Sequence, residues 1–160
     1  MNDQPNSNMI CKNSPAAKIS EILDQTSWAE DFSWQQILVL GKYFKDYAIA
    51  AGSELFAEGE PGNEMGIVVN GAIAIYKENK MIAEITAGRT YGEMSLFDNE
   101  PRSATALALD DCDLLVIDKA MFEKLAESNP KLAFTLLWKI AGILSQNLRK
   151  TNGYLIDFLQ

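Results

Sequence analysis

The sequence predicts a mainly β domain with flanking helices: a double-stranded β-helix or jelly roll (a β-roll), with N-terminal helices before it and a long C-terminal helix after it. Three observations lead there. Between Tyr47 and Ile117, short apolar runs are punctuated by Gly52, Gly59, Gly62, Gly66, Gly71, Gly88 and Gly92, the texture of short strands joined by turns. On both sides of that region the apolar spacing changes to threes and fours, which is helical. The 160 residues are 48% hydrophobic and 22% charged, a size and balance that suit one core.

Residues 1–15 are polar and read as a disordered tail. Residues 16–46 read as N-terminal helices. Ile19, Ile22 and Leu23 give an apolar stripe within Ala16 to Leu23, and Ser33 with Gln36 forms a capping-box pattern ahead of Ile37, Leu38 and Leu40. Residues 47–117 form the β-roll, with strands expected at Met65–Val69, Ala72–Tyr76, Met81–Ile85, Thr105–Leu109 and Asp113–Ile117. Turn signals separate them: Glu-Pro-Gly at 60–62, Asn-Gly at 70–71, Glu-Asn-Lys at 78–80 and Ala-Gly at 87–88. Residues 118–160 are helical. Asp118 caps the first helix, and Asn129-Pro130 opens a second that runs to about residue 159, with a break expected at Gly153.

Composition excludes several kinds of chemistry. The chain has no histidine and two cysteines, Cys11 and Cys112. This removes His-based acid–base catalysis, nucleophile–His pairs, a disulfide framework and most transition-metal sites, so neither an enzyme nor a metal protein is expected. A metal-dependent enzyme on a small β-roll is the variant this argues against most directly. A net charge of −8 disfavours direct binding to nucleic acid and to anionic membranes. With no transmembrane run and no signal peptide, a cytoplasmic location is expected.

The chemistry concentrates in Tyr91-Gly92-Glu93-Met94-Ser95-Leu96-Phe97-Asp98-Asn99-Glu100-Pro101-Arg102-Ser103-Ala104-Thr105. Gly92 permits close backbone approach to a ligand. The residues after it can form one helical turn whose first N–H groups face outward, toward an anion. Arg102 offers a permanently charged planar fork for phosphate oxygens, and Ser103 a hydroxyl donor. Glu93, an acceptor when ionised, suits a sugar hydroxyl and not a phosphate. Together they describe a sugar phosphate. The same residue types also fit a plain surface turn, with a solvated Glu93 and with Arg102 paired to Glu100.

This segment resembles the phosphate-binding cassette of the cyclic-nucleotide-binding domain family, which includes Crp/Fnr-type sensor domains, cyclic-nucleotide-dependent kinases and gated channels. The similarity runs from about Trp28 to Leu155. It takes in Gly59, Gly71, Gly92-Glu93, Pro-Arg-Ser-Ala-Thr at 101–105 and Val-Ile-Asp-x-x-x-Phe at 116–122. The resemblance implies a β-roll flanked by helices and a ligand that is cAMP or cGMP, cAMP being favoured, with no metal. It implies that Glu93 accepts from the ribose 2′-hydroxyl and that Arg102 pairs with the cyclic phosphate. Ser103 and backbone N–H groups of Tyr91, Gly92, Met94, Ser95 and Ala104 would complete the site.

In the terminal helix, Leu137, Ala141, Leu144, Leu148, Thr151, Leu155 and Phe158 follow a 4-3-4-3-4-3 spacing, a heptad seam. Part of that stripe is expected to pack on its own barrel, and the rest to form a homodimer. Asn147 and Thr151, polar and one turn apart, either meet the nucleotide base, as the resemblance implies, or set the register of the seam. The chain ends without the helix-turn-helix of Crp-type regulators. The expectation is a stand-alone sensor that couples ligand binding to movement of the C-terminal helices. The alternatives are a ligand-free interaction domain and the truncated sensor of a transcription regulator.

Overall fold

The computed structural model describes residues 8–160. The chain divides into two compact units, Met1–Met121 and Phe122–Gln160. Residues 1–7 of the expected tail lie outside the described residues.

Among the described residues, the part of the first unit that precedes α4 holds nine strands, three α-helices and a 3-10 turn. In chain order they are β1 (Ile10–Cys11), α1 (Ala16–Asp24), a 3-10 turn (Ser27–Asp31), α2 (Trp34–Leu40), β2 (Lys45–Ile49), β3 (Glu54–Phe56), β4 (Glu64–Asn70), β5 (Ala72–Lys77), β6 (Lys80–Thr86), β7 (Thr90–Tyr91), α3 (Glu93–Phe97), β8 (Thr105–Ala108) and β9 (Cys112–Asp118). The strands form two antiparallel sheets, ordered β1-β2-β9-β4-β7 and β3-β8-β5-β6. Alternate side chains of both sheets meet in one core. It contains Tyr47, Ile49, Leu55, Phe56, Val68, Ile73, Tyr91, Ala106, Ala108, Leu114 and Val116, with Ile75 and Ile85 packed against it. This is the β-roll that the glycine-punctuated runs predict.

Local chemistry places most boundaries. At α2 the Ser33 side chain accepts from the Gln36 N–H and the Gln36 side chain accepts from the Ser33 N–H, so the capping box read from the sequence is formed. The β5–β6 hairpin turns through Glu78 and Asn79, both at positive φ (48° and 63°), as a tight two-residue hairpin loop requires.

The structure departs from the sequence reading at the amino end. Ile10 and Cys11, placed within the disordered tail, pair with Ala48 and Tyr47 as an edge strand. Met9 is buried in the core. Lys12 bonds to Asp113 and lies 3.4 Å from Asp46, while Ser14 donates to Asp46. A polar segment is thus ordered by long-range partners that its own composition does not reveal.

In the second unit, α4 (Lys119–Ser128), which begins just before the unit boundary, starts on the Asp118 cap, whose Oδ1 accepts from the Met121 N–H at 2.8 Å. Helix α5 (Pro130–Leu159) starts on Asn129, whose Oδ1 accepts from the Leu132 N–H at 3.1 Å, with proline in its first turn. The expected break at Gly153 does not occur: α5 is continuous. A single glycine weakens a helix by about 1 kcal/mol but, unlike proline, removes no hydrogen bond. Buried positions on α5 stop at Ile140, and every residue from 145 to 160 is exposed.

Candidate ligand site

Strand β7 brings the chain to Gly92, which sits in the left-handed region at φ 74° and opens α3. A Cβ at Gly92 would lie 2.7 Å from Arg102 Nη1 and 2.9 Å from the Glu64 carbonyl oxygen. Glycine is therefore required twice, by the backbone conformation and by the proximity of the arginine. The sequence reading gave Gly92 to close approach by a ligand; here the close approach is by Arg102.

Arg102, which could have been a surface residue paired with Glu100, is 5% exposed. Nη1 donates to the Glu64 carbonyl oxygen at 3.0 Å, and Nη2 lies 3.9 Å from Glu64 Oε1. The guanidinium carbon sits 4.0 Å from the centre of the Phe56 ring, a cation–π stack. The backbone is fixed as well: the Arg102 N–H donates to Glu60 O at 2.7 Å, and Arg102 O accepts from the Gly59 N–H at 2.8 Å. Nε is buried with no hydrogen-bond partner among the described residues. Burial pushes the guanidinium below its ordinary pKa, and Glu64 opposes that shift. A buried, charged fork with a donor to spare is suited to receive an anion.

Glu93 is also buried, at 7% exposure, and accepts from the Thr90 hydroxyl. That bond orients one carboxylate oxygen and leaves the group further acceptor capacity for a sugar hydroxyl. Ser95 is buried on the same short helix, while Met94 is exposed. Ala104 is buried. The Ser103 side chain is exposed, and its carbonyl accepts from Lys77 Nζ at 2.9 Å. Tyr91 is buried with its ring 6.2 Å from that of Phe56. Its hydroxyl has no hydrogen-bond partner among the described residues, and burial holds it well above its ordinary pKa. The structure thus brings Arg102 against Gly92 at the start of α3, the short helix that carries Glu93, Met94 and Ser95. On α5, Asn147 and Thr151 are exposed, and the Thr151 hydroxyl donates to the Asn147 carbonyl at 3.0 Å.

Three contributors were not read from the sequence as site residues. Phe56 supplies the surface under Arg102, Glu64 its counter-charge, and Gly62 its room: a Cβ at Gly62 would lie 2.2 Å from Arg102 Nε. Gly62 had a local signal as a turn residue. Nothing local ties residues 56, 62 and 64 to residue 102.

Fold and site together define a ligand-binding β-roll. The chain belongs to the cyclic nucleotide-binding domain family, whose model matches residues 48–129, just over half of it. The structure is similar to a cyclic nucleotide-binding domain from Methylobacillus flagellatus (TM-score 0.82, 25% identity, covering 94% of this chain and 89% of that one). In sequence it is similar to the CRP-like cAMP-activated global transcriptional regulator of Mycobacterium tuberculosis, at 25% identity over 146 residues. That match covers 88% of this chain and 63% of the regulator. It is also 26% identical over 109 residues to the cGMP-dependent protein kinase egl-4 of Caenorhabditis elegans, covering 68% of this chain and 14% of the kinase. The chain therefore spans less than two thirds of the length of either curated relative. Among the described residues, no group of three or more Cys, Asp or Glu is placed to hold a metal ion, and no helix is long and apolar enough to cross a membrane.

Proposed function

We propose that this chain is a regulatory sensor module that binds a cyclic nucleotide, cAMP in preference to cGMP, through the cassette from Tyr91 to Thr105. The observation that carries the reading is the burial of Arg102 and Glu93, at 5% and 7% exposure, in one loop-and-helix segment. Burying a cation and a carboxylate is costly unless both find partners, and a ribose cyclic phosphate supplies an anion for one and a hydroxyl for the other. Ser103 and the N–H groups at the start of α3 are the further donors to the phosphate. The mild preference for cAMP rests on family resemblance: a hydroxyl residue just after the arginine, here Ser103, can favour the guanine amino group, and bacterial cAMP binders of the family carry serine there as well.

The test is a thermal-shift panel of cAMP, cGMP and non-cyclic nucleotides, followed by titration calorimetry of those that shift. A ligand at a hundred times its Kd stabilises the folded state by about 2.7 kcal/mol, a clear rise in melting temperature. The reading fails if neither cyclic nucleotide shifts the transition at millimolar concentration.

Output is proposed to pass through the C-terminal helices, since a ligand shifts a conformational balance only by binding one arrangement better than another. Asn147 and Thr151 are assigned to the nucleotide base by family resemblance. Substituting both by alanine is expected to erode the cAMP–cGMP preference. The proposed homodimer forms through α5, where Leu148, Leu155 and Phe158 of the heptad seam are 62%, 55% and 86% exposed. Sedimentation showing only a monomer at high concentration would refute that part.

A further inference from the structure

We propose that Glu64 is a resident competitor for Arg102, an anion that the incoming phosphate must outbid, so that its charge sets both the strength and the pH dependence of ligand binding. The inference rests on the cyclic-nucleotide reading and goes beyond it by assigning a regulatory role to a residue outside the cassette.

The geometry is specific. Glu64 opens β4 and engages Arg102 twice: its carbonyl oxygen accepts from Nη1 at 3.0 Å, and its carboxylate lies 3.9 Å from Nη2. The Glu64 side chain is 15% exposed and that of Arg102 is 4% exposed, so the pair is shielded from screening solvent. Arg102 has little freedom to move away. Phe56 lies under its plane, and at Gly62 and Gly92 a Cβ would come within 3 Å of the side chain. A phosphate bound to this guanidinium therefore adds a second anion beside the Glu64 carboxylate, on one buried cation.

The carboxylate is also poorly satisfied where it stands. At 3.9 Å the contact is an ion pair but too long for a hydrogen bond. The other charges around Glu64 do not replace Arg102. Asp118, its partner in the β4–β9 ladder, is a like charge, and Lys45 lies 3.9 Å from Asp118 as an ion pair of its own. Tyr91 and Tyr47 complete the surroundings, both with phenols pushed up by burial, that of Tyr47 to about 12, so both are neutral at physiological pH. In consequence the Glu64 carboxyl is raised above its ordinary range, burial outweighing the attraction of Arg102. The chain has no histidine. A change in ligand affinity just above the ordinary carboxylate range therefore points to a raised carboxyl, while the cyclic phosphate keeps its single charge throughout.

The experiment is titration calorimetry of cAMP against the full chain from pH 5 to pH 8, with Glu64→Gln, Glu64→Ala and Arg102→Ala alongside and urea melts to verify folding. Expected are a wild-type affinity that rises as pH falls toward 5, and an affinity about tenfold tighter at neutral pH in E64Q. E64Q should also have a flatter pH profile. E64A serves if the glutamine variant folds poorly, since it too removes the charge. Wild-type binding that depends on Arg102, with E64Q equal to or weaker than wild type, overturns the inference and leaves the cyclic-nucleotide reading standing. Absence of cAMP and cGMP binding in every variant overturns both.

Discussion

The double requirement on Gly92 can be separated by comparing Gly92→Ala with Gly52→Ala. Both glycines occupy the left-handed region, at φ +74° and +80°. An L-residue there costs about 1–2 kcal/mol, so both variants lose that much. They differ in their surroundings. A Cβ at Gly52 meets nothing within 4 Å, whereas at Gly92 it lies 2.7 Å from Arg102 Nη1 and 2.9 Å from a backbone oxygen of β4. Real Cβ contacts avoid such distances, and the Glu64 carbonyl, held in the β4 ladder, cannot retreat cheaply. Overpacking of this kind costs roughly a further 1–3 kcal/mol. The expectation is a loss of about 1–2 kcal/mol for G52A and about 2–5 kcal/mol for G92A, the sums of those terms. Urea unfolding at equal m-value measures the difference directly. Calorimetry adds a second reading: G92A displaces the guanidinium and weakens cAMP binding about tenfold, while G52A leaves it unchanged. Equal destabilisation of the two variants, with equal affinities, would refute the argument that Gly92 makes room for Arg102.

Arg102→Ala is expected to weaken cyclic-nucleotide binding tenfold to a hundredfold or more, from the roughly 1.5–3 kcal/mol of a charge-assisted contact; Arg102→Lys, which keeps the charge but loses the fork and the stacking plane, falls between. Calorimetry on both variants checks this. Glu64→Gln is expected to raise stability near neutral pH. A carboxyl whose folded-state pKa is raised favours the folded state below its unfolded value of about 4.5, and that contribution is lost as pH rises through the folded value. The gain over wild type should therefore vanish at and below about pH 4.5 in acid-to-neutral urea melts. Gly153→Ala, in a helical position with nothing within 4 Å of the added Cβ, should stabilise α5 by about 0.5–1 kcal/mol, seen by circular dichroism melting. Leu148→Asp with Leu155→Asp is expected to abolish the proposed α5 homodimer, read as a monomer by sedimentation at every concentration at which the wild type is tested alongside.

The fold class was legible because its signals are local. A strand of β5 or β9 carries its own apolar run, Gly71 and Gly88 mark turns by their conformational freedom, and Ser33, Asp118 and Asn129 cap helices within three residues of themselves. The five strands read from sequence match β4, β5, β6, β8 and β9 within a residue. The strands that were missed are β1, β2, β3 and β7, of two to five residues. Such pieces exist only because a neighbouring strand pairs with them. Ile10–Cys11 is the extreme case, two residues within a polar stretch made into a strand by Ala48 and Tyr47.

The site divides along the same line. Its cassette residues are contiguous, so their types and order alone proposed a carboxylate for a sugar and an arginine for a phosphate. Sequence could not decide whether Arg102 is a solvated surface charge or a buried fork, because the answer lies in residues 38 to 46 positions away. Phe56, Gly62 and Glu64 reach Arg102 only after β3 and β4 have taken their places beside the cassette. Burial is a property of what other segments cover, and a counter-charge is a property of distance in space; neither is encoded in local order. The chain by itself therefore determined a glycine-punctuated β-roll and suggested a sugar-phosphate cassette within it, while only the tertiary structure decided that its arginine is buried, stacked and paired with Glu64.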